Sequence, residues 1–155
     1  MQKQNRVLIV LGLFLLTLYL GYAGHNYIMD SRTLCTARIS ELRFPRHSGE
    51  IATTSGFIDL DMKNETIHFF LHSPTGDYIN RLLQFNTSYG WNGEANAVTI
   101  VKKTKSPSEY GSLASEYHIF DIGTRHLINM VPVTRHVTQV NFDSISFFCE
   151  NQEIL

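Results

Sequence analysis

The sequence predicts a mainly β protein with one N-terminal transmembrane helix: an antiparallel sheet or partly open barrel with one short helix. Three observations carry this. Val7 to Gly24 (VLIVLGLFLLTLYLGYAG) is an apolar run, and no charge occurs between Arg6 and Asp30. Beyond it, GFIDLDM and TIHFFLH alternate with the period of two that marks a half-buried strand. Finally, short β-rich pieces recur between turn-forming residues, as in antiparallel sheets, sandwiches and barrels.

The apolar run is long enough, at about 1.5 Å per helical residue, to nearly fill a hydrocarbon core of about 30 Å. A single crossing segment must satisfy its own backbone polar groups, so it is a helix. Its aliphatic residues together favour insertion by a few kcal/mol, at about 0.3–0.6 kcal/mol each, and outweigh Gly12, Thr17 and Gly21. Lys3 and Arg6 precede the run and Asp30 is the first charge after it, so the positive-inside rule keeps residues 1–6 in the cytoplasm. The span is 7–27, and 28–155 form a periplasmic β-rich domain. Tyr19, Tyr22 and Tyr27 fall where an outer aromatic belt would lie. A cleaved signal peptide would use MQKQNR as its n-region and G-Y-A before Gly24 as its cleavage site. The length of the run favours a retained anchor, and either reading exports the remainder. Gly12, Thr17, Gly21 and Gly24 are small positions where a second helix could approach, though ordinary glycine content explains them as well.

Asn26 to Thr33 reads as a polar link. Leu34 to Phe44 suits a strand, with a helix as the competing pattern, and Pro45 to Gly49 breaks it. Gly56 to Met62 and Thr66 to His72, around Lys63-Asn64-Glu65, read as a β-hairpin with Ile58, Leu60, Met62, Ile67, Phe69 and Leu71 on the buried face. Ser73 to Asp77 is turn chemistry. Tyr78 to Ser88 is a third strand of this series, Gly90 to Asn96 a loop, and Ala97 to Lys103 and Ser115 to Ile122 further strands. Thr124 to Val133 (TRHLINMVPV) is the helix candidate, stopped by Pro132. Arg135 to Phe142 and Ser144 to Cys149 close the domain as two strands around Asp143.

The only cysteines, Cys35 and Cys149, stand at the two ends of the exported part. An oxidising compartment makes a disulfide between them the expected state, closing a loop worth about 4–5 kcal/mol in chain-entropy terms. No cysteine directly follows the apolar run, which argues against a lipid anchor, and no CxxC or Cys/His metal spacing occurs. The chain has 14 acidic residues, all beyond the span, and 13 basic ones, of which Lys3 and Arg6 precede it. The exported part is thus acidic by about three charges, which argues against a nucleic-acid surface.

Candidate chemistry is sparse. Asp59 and Asp61 share a strand face about 6.6 Å apart, a spacing that an inverting glycosidase pair could use but that a solvated sheet face also produces. His68 and His72 would share a metal on a helix; on a strand they are about 13 Å apart, too far for one ion. No GxSxG elbow, Walker loop or GxGxxG appears, so neither catalytic nor metal nor cofactor-binding residues are assigned. Asn64-Glu-Thr66 and Asn86-Thr-Ser88 match the glycosylation pattern, relevant only to a eukaryotic secretory route.

The layout resembles the FidL-like proteins, small bitopic inner-membrane proteins of enteric bacteria. The matching features are the basic N-terminus, the single span, Cys35 soon after it, the hairpin GFIDLDMKNETIHFFL, Gly76, the NRLLQF strand at Asn80 to Phe85, and the closing Phe147-Phe148-Cys149. TRHLINMVPV fits that pattern only loosely. Such proteins look like functional relatives of ToxS. The resemblance implies a non-enzymatic accessory protein that binds, stabilises or modulates the periplasmic domain of a membrane-bound ToxR-type winged-helix regulator. It also implies, by analogy, a bile-salt-like ligand at the shared interface. The competing expectation is a membrane-tethered lipocalin-like module that binds a small apolar ligand by itself.

Overall fold

The structure, a computed structural model, describes residues 2–45, 50–111, 120–143 and 145–152. Helix α1 (Gln2–Ser31) leads into eight strands: β1 (Leu34–Pro45), β2 (Ile51–Asp61), β3 (Thr66–His72), β4 (Tyr78–Tyr89), β5 (Ala95–Lys105), β6 (Arg125–Thr134), β7 (Val137–Phe142) and β8 (Ile145–Asn151). Each strand pairs antiparallel with the next, and β8 returns to β1, so the sheet closes into a meander barrel. The mainly β expectation holds, and the barrel is closed.

Successive residues Leu8, Ile9, Val10 and Leu11 of α1 are all exposed, so its apolar surface runs round the whole helix rather than along one stripe. A helix of that kind suits lipid on every side. Its stretch from Leu8 to Ser31 is long and apolar enough to cross a membrane. The expected link from Asn26 onward continues the helix to Ser31, with Thr33 Oγ1 donating to the Met29 carbonyl at its end.

Inside the barrel, alternate residues of each strand meet. Ile58 and Leu60 of β2 face Phe69 and Ile67 of β3 in register, and Ile79, Leu83 and Phe85 of β4 continue the core. Phe69, Phe85, Phe120 and Phe142 are fully buried, so side chains fill the interior. Phe120 stands edge-on to Phe69 at 5.2 Å between centroids, plugging the end away from α1.

Two seams are narrow. Among the described residues β5 and β6 pair through Ala97–Leu127, Val98–His126 and Thr99–Arg125. Among the described residues β1 and β8 pair through Cys35–Asn151 and Thr36–Glu150, with Gln152 N–H donating to the Leu34 carbonyl beyond them. The Cys35–Cys149 disulfide staples this second seam across 114 residues of chain, as the sequence led us to expect.

The segment expected to be the short helix, Thr124 to Val133, is strand β6 instead. Its buried residues His126, Ile128 and Met130 alternate with exposed Leu127, Val131 and Val133, a period of two that the aliphatic content concealed. Pro132 is compatible with this strand because of where its missing N–H would point. Leu127 N–H donates to Asp143, and its carbonyl accepts from Asp143 N–H, so Leu127 turns its backbone toward β7. Alternation then turns the backbone of Ile128, Met130 and Pro132 toward β5, which has already parted from β6. Proline is tolerated at such an uncovered edge. Most of the expected strand Ser115 to Ile122 lies outside the described residues; at its end, Ile122 and Gly123 form a turn, not a strand.

Candidate functional site

The outer face of β2–β3–β4 carries a continuous aromatic surface. Phe57 of β2 lies opposite Phe70 of β3, and Arg38 of β1 lies opposite Phe57. The Arg38 guanidinium sits 5.6 Å from the Phe57 ring centre. Phe70 meets Tyr78 edge-on at 5.2 Å, and Tyr78 stacks on Tyr110 at 5.9 Å. Backbone bonds in both directions between Tyr78 and Tyr110, at 2.9 and 3.2 Å, hold the last ring in place. Phe57 is 39 % exposed, Phe70 37 % and Tyr110 63 %. Isolated exposed apolar residues are ordinary on a soluble surface, whereas a contiguous row is not. Gly56 permits the row: a Cβ there would stand 2.0 Å from the Phe70 carbonyl oxygen, and its φ of 147° excludes most side chains. Period-two alternation placed Phe57 and Phe70 outward, but the row itself needs the inter-strand register and the return of the chain at Tyr110.

The polar residues of the same face are tied into the sheet. Asp59 accepts from Thr36 Oγ1 at 2.7 Å, and Asp61 accepts from the backbone N–H of Asn64 at 2.9 Å and from its side-chain amide. Both carboxylates thus hold neighbouring strands and the β2–β3 turn. His68 Nε2 bonds Asn80 at 2.8 Å and His72 Nε2 bonds Ser55 at 3.0 Å, each on its own neighbour. Among the described residues no three His, Cys, Asp or Glu side chains converge as metal ligands.

Two polar pairs, one buried and one with an exposed carboxylate, join residues too far apart in the chain for local pattern to connect them. Arg81 points inward from β4 and makes a two-pronged ion pair with Glu109, with guanidinium–carboxylate contacts of 2.9 to 3.1 Å. The guanidinium also lies 5.1 Å from the Phe120 ring centre. His126, only 3 % exposed, bonds Asp143 through Nδ1 and stacks on Phe142 at 5.0 Å. Asp143 adopts a φ of 50° at the β7–β8 turn and also accepts from Leu127 N–H at 2.7 Å. His126 Nε2 has no hydrogen-bond partner among the described residues. The ring is buried while its Asp143 partner is exposed.

The other distinctive region is where α1 meets the barrel. A groove of about 550 Å³ opens there, lined on its apolar side by Ile28, Met29, Leu34, Met130, Pro132 and Val133. The uncovered stretch of β6 forms one wall. On the opposite side of the helix the β4–β5 hairpin docks: Asn26 donates to the Asn92 carbonyl at 3.1 Å, Asp30 accepts from Ala95 N–H at 2.7 Å, and Tyr27 meets Tyr89 edge-on at 4.7 Å. Burial pushes the Tyr89 phenol above its ordinary range, and the nearby Tyr27, Glu65 and Asp30 push the same way.

In comparisons with protein families, with curated proteins and with solved structures, nothing matches this chain.

Proposed function

We propose that this protein is a non-enzymatic accessory subunit, anchored in the bacterial inner membrane by α1 with its barrel in the periplasm. In this reading it binds and stabilises or modulates a membrane-bound ToxR-type regulator. The observation that carries it is the exposed row Phe57–Phe70–Tyr78–Tyr110 flanked by Arg38. Aromatic and arginine side chains dominate the energetic centres of protein interfaces, and a barrel with a filled interior offers its outside for recognition. A shared membrane raises the effective concentration of both partners, so a modest interface suffices. Binding only the folded regulator stabilises it by mass action. The identity of the partner class rests on the FidL-like resemblance.

The test is affinity purification of the full chain from membranes of cells that carry such a regulator. The expected result is co-purification, lost when Phe57 and Tyr110 are both replaced by Ala, together with reduced regulator abundance in a deletion strain. Absence of co-purification with unchanged regulator abundance would end this reading. The groove of about 550 Å³ beside Met130 and Val133 favours a second one, a small apolar ligand held at the helix–barrel junction rather than inside the barrel. A bile-salt-like molecule that binds the isolated full chain and is displaced by Met130→Glu would support it.

A further inference from the structure

Trp91 is the only tryptophan in the chain, and it is 94 % exposed at the tip of the β4–β5 hairpin. One exposed ring is ordinary by itself; what indicates a different solvent here is the segment it is bonded to. The hairpin tip does not project away from α1; it lies along it. The Tyr19 hydroxyl donates to the Trp91 carbonyl, and Asn26 donates to the Asn92 carbonyl at 3.1 Å. Between them Gly93, with a φ of 81°, presses so closely on the helix that a Cβ would stand 1.8 Å from the Ala23 carbonyl oxygen.

The helix serves as a depth gauge. Asn26 lies about 30 Å along the axis from Arg6 at 1.5 Å per residue, one hydrocarbon thickness. Ala23 and Tyr19 then lie about 5 and 10 Å below that outer boundary. A hairpin tip bonded to Tyr19 and Asn26 and packed on the Ala23 backbone cannot remain in bulk water. Its polar groups are suited to a partly dehydrated place. Gly90 N–H donates to the Glu94 carbonyl at 2.8 Å, Gly93 N–H donates to the Gly90 carbonyl at 3.0 Å, and the Asn92 side chain bonds Glu94 at both its amide ends.

From this geometry we infer that the β4–β5 hairpin is a second membrane contact, in which Trp91 seats its ring in the outer leaflet, just below the interface, beside Tyr19 and Tyr22. Tryptophan is enriched toward the membrane–water boundary because its ring is apolar and its indole N–H is polar. The bilayer is the occupant by continuity, since the hairpin is bonded to the segment that crosses it. The consequence is a fixed pose: the barrel sits directly on the membrane, held at two points rather than swinging on one helix. This inference rests on α1 spanning the bilayer.

The test uses the full chain in phosphatidylcholine vesicles, with Trp91 as the sole fluorophore of its kind. Three readings are taken: flotation with the vesicles, the emission maximum, and quenching by lipids brominated at shallow acyl positions against quenching by aqueous iodide. The expected result is flotation, a blue-shifted emission, loss of emission with brominated lipid and protection from iodide. Gly93→Val, which pushes the tip off the helix, should partly reverse the protection. Flotation with red, iodide-quenched emission overturns the hairpin contact while leaving the anchor intact. Failure to float overturns the anchor and the contact together. Protection that appears only after a partner protein is added assigns Trp91 to that partner instead, and also overturns the inference.

Discussion

The guanidinium of Arg81 grips the carboxylate of Glu109 inside the end of the barrel distant from the helix, with Nη2–Oε1 at 2.9 Å and the Phe120 ring against its face. Neither member is solvated, and Lys105 reaches the same carboxylate only from 3.6 Å. Removing Arg81 leaves Glu109 a buried charge with, among the described residues, only Lys105 and the Asn80 N–H beside it, a loss of up to about 3–5 kcal/mol. Arg81→Met should therefore lower the denaturation midpoint sharply. Replacing both, as Arg81→Met with Glu109→Leu, should restore most of it, because well-packed apolar pairs replace buried ion pairs at little cost. Chemical denaturation of the full chain in micelles, followed by circular dichroism, measures both. Equal damage from the single and double replacements would show that the pair has a role beyond mutual neutralisation.

Cys35 and Cys149 act on the short seam that closes the barrel between β1 and β8. Among the described residues β1 and β8 share two residue pairs, extended by the bond from Gln152 N–H to the Leu34 carbonyl at 2.8 Å, so the covalent link reinforces a short seam. Cys35→Ser with Cys149→Ser should cost about 4–5 kcal/mol in chain-entropy terms. Backbone amides of Thr36 and Glu150 should then exchange with solvent earlier than those of the β2–β3 ladder. Exchange followed by mass spectrometry resolves the two regions. Uniform loss of protection across all strands would argue that the link stabilises only the unfolded-state balance and not this seam in particular.

The strands that were legible in the sequence are those whose two faces meet different solvents. β3 is found over the expected residues because Ile67, Phe69 and Leu71 alternate with His68, Phe70 and His72. β2 begins at Ile51, earlier than expected, because Thr53, Thr54 and Ser55 carry no apolar contrast, although Thr54 is fully buried. β6 was misread because Leu127, Val131 and Val133 are apolar yet face outward, which blurs the period. For the candidate site, the outward rings Phe57 and Phe70 were visible in the alternation. Tyr110, Arg81–Glu109 and the contact of Trp91 with Tyr19 were not, since each joins residues by register or by docking rather than by spacing.

The aromatic row should separate binding from stability. Tyr110 is largely exposed, so Tyr110→Ala should shift folding stability by no more than about 0.5 kcal/mol. If the row docks a partner, the same change should weaken capture of the regulator about tenfold, the loss expected for one central aromatic anchor worth about 1.4 kcal/mol. Titration of the reconstituted pair in nanodiscs gives the affinity, and melting of the full chain gives the stability. Unchanged affinity for Tyr110→Ala and Phe57→Ala alike would move the docking surface elsewhere.

Tyr89 supplies a pH dependence with a definite sign. Burial beneath α1 raises its phenol above the ordinary 10.0, so the unfolded chain loses this proton first. The resulting stabilisation is complete below pH 10 and declines as pH rises from there through the higher folded value. Tyr89→Phe should abolish that part of the decline. Subtracting its tyrosinate absorbance titration from that of the parent chain should reveal one phenol that ionises above the others. A difference curve centred at the ordinary value would mean that the Tyr27–Tyr89 contact does not exclude water.

Gly93 fixes the angle between helix and barrel, and this is open to direct attack. Its φ of 81° is a conformation that side chains adopt at a cost, and the space a Cβ needs is occupied by the Ala23 backbone. A β-branched residue meets both obstacles, at roughly 1–3 kcal/mol for the backbone conformation alone. The eight-strand ladder lies outside the clash, so Gly93→Val should leave the barrel folded and pull the hairpin away from α1. The first bond to fail is then Ala95 N–H to Asp30, now 2.7 Å, followed by Asn26 to the Asn92 carbonyl. Hydrogen exchange of the full chain in nanodiscs should show faster exchange at Ala95 with β3 and β7 unchanged. Retained protection at Ala95 would show that the hairpin yields locally and that the helix is held by Tyr27 on Tyr89 instead.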